Sequence, residues 1–440
     1  MTYRPVDLIE VWAWGQRVGA VAEDPDSGRY VFAYAPEWIA SGVELDPLSM
    51  PLRRDPYDIA MWPTLDPASF HGLVPLLADA LPDAFGNALV NAWMAEHDVP
   101  VERITPLDRL AYAADRALGA LEFRPPATDS TTGALASVAL ADLVLAARLT
   151  VSGQLADAAS AHAAIQQLIQ VGSSAGGARA KAVIAFNPAS YQIHSAFAPL
   201  EPGFEHWLIK LDGVSDAGMD GHGDGLGASA PYGRIEYAYS LMARAAGVEM
   251  APSLLLSEGP RRHFMTRRFD RGPGGSRRHL ISLGAMAHLD HRRVGVHSYD
   301  QYLQTVRALD LGSAALAQAY RRMVFNVAAV NRDDHAKNFA FLRGRDTGWS
   351  LAPAFDVTHT YNPSSPWTSR HNLRVNAKVE GITLADLRLV GDRQEVPAHR
   401  RIVREVLAAL EDWPRYGKQA ELGSGVIDAI ARDLEQFRPR

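Results

Sequence analysis

NRDDHAKNFAFLRGRDTGWSLAPAFDVTH, residues 331–359, is the most informative segment of the chain. It follows AALAQAYRRMVFNVAAV, in which Leu316, Tyr320, Met323, Val327 and Val330 recur at helical spacing. The helix runs into a polar knot of Asn331, Arg332, Asp333, Asp334, His335, Lys337 and Asn338. NFAFL and WSLAPA then read as two strands joined by a turn at Gly344-Arg345-Asp346, a hairpin. A hairpin brings the start of its first strand beside the end of its second. Asn338 and Asp356 are therefore expected at one end, with Asp333 a loop away. Oxygen ligands from an Asn and an Asp, with a second Asp nearby, suit magnesium bound to phosphates.

The spacing narrows the chemistry. Asn331-Arg332-Asp333 followed by Asn338 has the layout H-R-D-x-x-x-x-N of a kinase catalytic loop, with Asn in place of the leading His. In that arrangement the Asp accepts the proton of the attacking hydroxyl and the Asn holds a metal. Asp356, in Ala-Phe-Asp-Val, would be the second metal ligand, where kinases carry Asp-Phe-Gly; the glycine is missing here. The competing reading makes Asp333 and Asp334 a solvated charge cluster at a helix end.

The rest of the chain sets the boundaries. Its 440 residues suit two or three domains, and 47% hydrophobic with 21% charged residues is an ordinary globular balance. Forty-four basic against 50 acidic residues give −6, which excludes a general polyanion binder. The absence of cysteine removes disulfides, thiolate catalysis and Cys-ligated metals together. MTYRPVDLIEVWAW shows no signal peptide, and LASVALADLVLAARL is broken by Asp142 and Arg148, so a cytoplasmic protein without membrane contact is expected.

EVWAWGQRVGAVAED, with a turn at Gly15-Gln16, and RYVFAYAPEWI read as strands of a meandering sheet. LADALPDAFGNALVNAWMAEH reads as a helix with Phe85, Leu89, Ala92 and Trp93 on one face and Asp83 as its cap. LDRLAYAADRALGALEF is a second short helical piece, and PPATDSTTGA a linker. AVIAF, YQIHSAF and HWLIKL look like strands. RIEYAYSLMARAAG presents Ile235, Ala238, Tyr239, Met242 and Ala246 on one helical face before a stop at Gly247. Boundaries along the chain are set at 1–125, 126–265 and 266–440.

Matching parts lie upstream of the catalytic-type loop. Ser173-Ser174-Ala175-Gly176-Gly177-Ala178 is a small-residue loop whose backbone amides can approach phosphate oxygens, and it leads into Lys181 and a strand. Lys210 closes HWLIKL alone among apolar neighbours, where it would reach phosphates or simply snorkel. Glu236 on the next helix is a candidate ion-pair partner for it, or a solvated residue. FMTRRFDRGPGGSRRH is the one dense basic stretch, expected as a cationic face or as a contact for phosphate, nucleic acid or acidic partners. HLDH, residues 288–291, imitates a phosphohydrolase metal dyad and is set aside because no second His–Asp pair accompanies it at helical spacing.

Taken in order, SSAGGARAK, HWLIK, YGRIEYAYSLMARAAG, FMTRRFDR, NRDDHAKNFAF and LAPAFDVT resemble the HipA family of serine/threonine kinases, toxins of type II toxin–antitoxin operons. LLADALPDAFGNALVNAWM and ITPLDRLAYAADRALGALEF resemble that family's N-terminal subdomain, so the similarity spans nearly the whole chain. The resemblance implies an α+β, protein-kinase-like fold, with a sheet-containing N-terminal domain and a mostly helical C-terminal one. It implies ATP and Mg2+ as cofactors, Asp333 as catalytic base, and Asn338 and Asp356 as magnesium ligands. His335 occupies the His of the family's D-x-H-x-K-N pattern, with Asp334 where some members have Gly. Lys210 matches the ATP-contacting lysine, and the backbone of Arg267 to Phe269 the segment that meets adenine. The loop Ser174, Ala175, Gly176 and Gly177, with Lys181 after it, matches the family's Gly-rich loop. Ser174 is the implied autophosphorylation site, and Ser173 is its neighbouring alternative.

The resemblance also implies partners: a separately encoded helix-turn-helix antitoxin, DNA reached only through it, and a protein substrate such as an aminoacyl-tRNA synthetase. Two other classes stay open on the residues alone. One is a metal-dependent phosphohydrolase; the other is a non-catalytic nucleotide-binding regulator of a DNA-bound partner.

Overall fold

The computed structural model describes residues 6–52, 59–95, 98–125, 180–212, 231–259 and 261–437. Its residues group into two compact units. The first takes 1–219, 267–281 and 342–348; the second takes 220–266, 282–341 and 349–440. The division expected along the chain, at 125 and 265, follows sequence segments, whereas these units are discontinuous in sequence.

In the first unit, β1 (Leu8–Ala13) and β2 (Gln16–Asp24) pair antiparallel across a two-residue turn, with Leu8 opposite Ala22 and Ala13 opposite Gln16. Trp14 and Gly15 both have positive φ (50° and 74°), the twist that suits a tight hairpin, so the turn begins one residue earlier than expected. β3 (Arg29–Tyr34) pairs with β2, and the short β4 (Ile59–Ala60) with β3. Ile9, Val11 and Ala13 alternate into the core. The strand expected to continue through PEWI stops at Tyr34. Pro36 fits the first turn of a helix, and α1 (Pro36–Ser41) starts there.

α2 (Ala84–Ala95) begins at Asp83, whose carboxylate accepts from Gly86 N at 2.7 Å, as the cap reading expects. Its buried face is Phe85, Leu89, Val90 and Met94; Ala92 and Trp93 are only half-buried. α3 (Pro106–Ala113) opens with a capping box between Thr105 and Asp108. The chain then enters β5 (Leu121–Arg124), which pairs with β1, completing the sheet order β4-β3-β2-β1-β5. β6 (Lys181–Phe186) lies antiparallel to both β7 (Ile193–Ser195) and β8 (Glu205–Lys210), the three strands expected there.

The second unit is mostly helical. α4 (Tyr232–Ala245) buries Ile235, Ala238, Tyr239 and Met242 completely, the face read from the sequence. Each large side chain so buried contributes about 1.5–3 kcal/mol. α4 lies close to the hairpin of β9 (Ser253–Glu258) and β10 (Arg261–Arg267): a Cβ on Gly233 would stand 2.7 Å from the Arg262 carbonyl, so only glycine fits. α5 (Tyr299–Ala308) and α6 (Gly312–Ala328) pack together, and Tyr239 Oη donates to the Ala329 carbonyl at 2.7 Å, tying α4 to the end of α6. The Tyr239 ring also meets Trp413 at 5.3 Å. β11 (Ala340–Arg343) and β12 (Trp349–Leu351) are the arms of the expected hairpin, with Ala352 N donating to Ala340 O at 3.0 Å. α7 (Leu384–Arg393), α8 (His399–Glu411), α9 (Trp413–Gln419) and α10 (Ser424–Leu434) complete the unit. No helix among the described residues is long and apolar enough to cross a membrane.

Candidate functional site

The polar knot is shaped by how α6 ends. The helix stops at Ala328, and Val330, which the helical pattern carried to its last turn, takes φ +56° with its side chain buried. A β-branched residue resists that conformation, so the surrounding bonds must hold it. Asn331 forms a parallel bridge with Thr360: Arg332 N donates to Thr360 O at 3.1 Å and Thr360 N to Val330 O at 3.2 Å. The Arg332 guanidinium lies over the Tyr361 ring at 4.0 Å and donates to the Ser369 carbonyl.

Asp333 and Asp334 face different surroundings. The Asp333 carboxylate is 44% exposed, 3.6 Å from His335 Nε2, and its backbone carbonyl accepts from Asn338 Nδ2 at 2.7 Å. Asp334 is 1% exposed, which corrects the solvated-cluster reading for that residue. Its Oδ2 accepts from Tyr299 Oη at 2.7 Å and His371 Nδ1 at 2.9 Å, and its Oδ1 from Asn372 N at 2.7 Å. Burial and the adjacent Asp334 charge push the Tyr299 hydroxyl well above its ordinary pKa, so it stays a donor. The chain of bonds continues from Tyr299 through Asn326 (3.1 Å) to Asn331 (3.0 Å). Sequence reasoning missed this anchor. Its partners stand 35 to 38 residues away, and an Asp-Asp pair does not say which member is buried.

Asn338 and Asp356 line one cavity in the second unit, together with Arg322, Asn326, Asn331 and Asp334. Asp356 also has a left-handed backbone (φ +51°), two residues after Ala354, whose N–H donates to Glu249 O at 2.7 Å. Because the Asn338 amide nitrogen is committed to Asp333 O, its oxygen is the end left for a cation. Among the described residues no three His, Asp or Glu side chains cluster as a metal site. One amide and one carboxylate oxygen, the rest left to water and phosphate, is the donor set magnesium accepts.

The other expected residues fall as follows. Ser174, Ala175, Gly176 and Gly177, with the alternative Ser173, lie outside the described residues, as does the linker 125–134 beyond Pro125. Lys181 is 2% exposed and its ammonium lies 2.9 Å from the buried Asp83 carboxylate. Lys210 ends β8, half-buried, opposite Lys181 in the register. Arg267 is exposed and donates to Glu205 at 3.1 Å; Phe269 is half-buried. Glu236 is buried on α4, not solvated.

The basic stretch is not the cationic face expected of it. Arg268 and Arg271 are both held by Asp270, Arg268 Nε at 2.6 Å and Arg271 Nη1 at 2.7 Å, and Gly119 N donates to the same carboxylate at 2.8 Å. Burial would raise the Asp270 pKa, but the two guanidinium groups hold it well below the usual range. Arg271 and Arg277 bind backbone carbonyls of Ala117 and Asp115, and Arg262 pairs with Glu421 at 2.9 Å. In HLDH, Asp290 is buried and His288 half-buried, and the His291 ring lies 5.8 Å from His335.

Among solved structures the chain matches the Shewanella oneidensis MR-1 HipA toxin, determined in complex with HipB and its operator DNA. The TM-score is 0.66 at 14% identity, over 98% of this chain and 97% of that one, and this establishes the fold. It also matches the Helicobacter pylori proinflammatory kinase CtkA, at TM-score 0.34 and 12% identity over 54% of this chain and 89% of that one, too slight a likeness to build on. No curated protein sequence matches the chain. A family model described as HipA N-terminal domain matches residues 9–124, and one described as HipA-like C-terminal domain matches residues 173–413, the span that holds the loop, the hairpin and the cavity. With more than half its length matched by the second alone, and an α+β fold shared end to end with a HipA toxin, the chain belongs to the HipA family.

Proposed function

We propose that this chain is an ATP-dependent serine/threonine protein kinase acting as the toxin of a toxin–antitoxin pair in the cytoplasm. The observation that carries the reading is the loop 331–338 with Asp356: Asn338 and Asp356 share one cavity, and Asn338 is bonded to the backbone of Asp333, whose own carboxylate is exposed. The exposed Asp333 carboxylate receives the proton of an incoming hydroxyl, and His335 at 3.6 Å supports its orientation. Asn338 and Asp356 hold the divalent cation by their oxygens. Magnesium, when bound, supplies charge neutralisation on the phosphates. Lys210, the Arg267–Phe269 backbone, Lys181 and the loop 174–177 keep the nucleotide-contact roles that the family resemblance gives them, and Ser174 is the proposed site of autophosphorylation. The Shewanella HipA was determined with HipB and operator DNA. By analogy this chain binds a separate antitoxin and reaches DNA through it; the family resemblance adds that the antitoxin is a separately encoded helix-turn-helix protein and that the substrate is a translation-related protein such as an aminoacyl-tRNA synthetase.

Incubation of the purified protein with γ-labelled ATP and magnesium, alone and with lysate, tests this. Label in protein, abolished by Asp333→Ala and by Asp356→Ala, is the expected result. Label released only as free phosphate, or no movement of label, overturns it.

A further inference from the structure

Resting on the kinase reading, we propose that Asp334 is a positioning residue, which fixes the loop so that Asp333 and Asn338 are presented in one geometry. Asp334 lines the same cavity as Asn338 and Asp356, but its carboxylate is fully enclosed and both of its oxygens accept hydrogen bonds from the protein itself. Three donors from two parts of the second unit converge on it: Tyr299 Oη from α5, and His371 Nδ1 with the Asn372 backbone N–H from one short segment. Two of the three donors come from residues 371–372, and the Asn372 side chain donates to Arg332 O at 2.7 Å. The residues on either side of Asp333 are thus gripped by one short segment. Tyr299 extends the grip through Asn326 to Asn331, at the loop's start. On its far side, the loop closes by the bond from Asn338 Nδ2 to Asp333 O.

A carboxylate so placed is a stronger anchor than a neutral residue, because charge-assisted bonds are short and about twice as strong as neutral ones. Loss of the charge would leave three donors aimed at a poorer acceptor and free the loop to shift. A misplacement of about 1 Å in a reacting group can lower a rate about a hundredfold without touching substrate affinity.

The test compares the full-length parent with Asp334→Asn, Tyr299→Phe and a control, Tyr320→Phe. The control removes a buried hydroxyl that donates to Leu387 O at 2.8 Å, away from the loop. Kinase turnover is expressed per nucleotide-binding molecule, and amide hydrogen exchange is followed across 332–339. Asp334→Asn is expected to lower kcat about 10- to 100-fold with the KM for ATP within about twofold, and to speed exchange in 332–339 selectively. Tyr299→Phe moves both readouts the same way by less, and Tyr320→Phe lowers stability without moving kcat. Parental kcat per binding molecule in Asp334→Asn, or exchange raised evenly along the chain, overturns the proposal. If the parent itself transfers no label, the kinase reading fails, and the exchange pattern alone judges whether Asp334 holds the loop.

Discussion

Lys181 and Asp83 offer the sharpest test of how the first unit is built. Their side chains are 2% and 6% exposed and their charged atoms 2.9 Å apart. At an effective dielectric constant of about 20, that separation gives an attraction of about 6 kcal/mol, offset by the desolvation of both ions. Breaking such a pair from one side is the expensive event, because a buried charge then loses the opposite charge beside it. Lys181→Met is therefore expected to destabilise the protein by about 3–5 kcal/mol. Asp83→Asn should cost a similar amount by removing the carboxylate beside the buried ammonium, although its Oδ1 can still cap α2 through Gly86 N. The double variant buries no charge at either position and should recover most of the loss, giving a coupling energy of at least about 2 kcal/mol. Equilibrium urea unfolding, followed by both far-ultraviolet circular dichroism and tryptophan fluorescence, measures this. Strictly additive effects would refute the claim that the pair acts as a unit. Nucleotide affinity measured on the same variants separates this tether from the nucleotide contact proposed for Lys181.

Two further outcomes concern pH. Burial raises the Asp46 carboxyl to about 7, against about 3.9 in an unfolded chain, so the folded state holds the extra proton between those values. Stability from this residue falls as pH rises from about 4 to about 7, and Asp46→Asn should flatten that limb in a thermal-unfolding series. Burial lowers His279, which contacts the Leu45 carbonyl at 2.9 Å, to about 4. Its contribution is complete above the unfolded value of about 6.5 and is lost as pH falls toward 4, and His279→Gln should remove that acid-side loss.

Much of the fold is legible because local pattern and tertiary burial agree. The α4 face at Ile235, Ala238, Tyr239 and Met242, the hairpin after Asn338 and the Asp83 cap all follow from period and turn chemistry within a dozen residues. The errors fall where one residue changes the outcome. Pro36 starts a helix inside an apolar run that reads as strand, and Val330 leaves the helix in a conformation its side chain disfavours. Within the site, the spacing of Asp333, Asn338 and Asp356 is visible in the sequence because one loop and one hairpin carry them. Asp334 is not, since its donors arrive from Tyr299, His371 and Asn372. Neither is the fate of the arginines, because Gly119 and Asp270 meet across 151 residues of chain. Linear reading sees charge density, and only the folded chain shows that those charges are internally matched.

The central claim is that Asn338 and Asp356 together hold a divalent cation for phosphoryl transfer. A crystal structure of the protein with magnesium and a non-hydrolysable ATP analogue tests it most directly. The account predicts a metal about 2.1 Å from Asn338 Oδ1 and from an Asp356 carboxylate oxygen, with phosphate oxygens and water completing its shell. A metal bound elsewhere, with Asn338 and Asp356 both out of its reach, would contradict it.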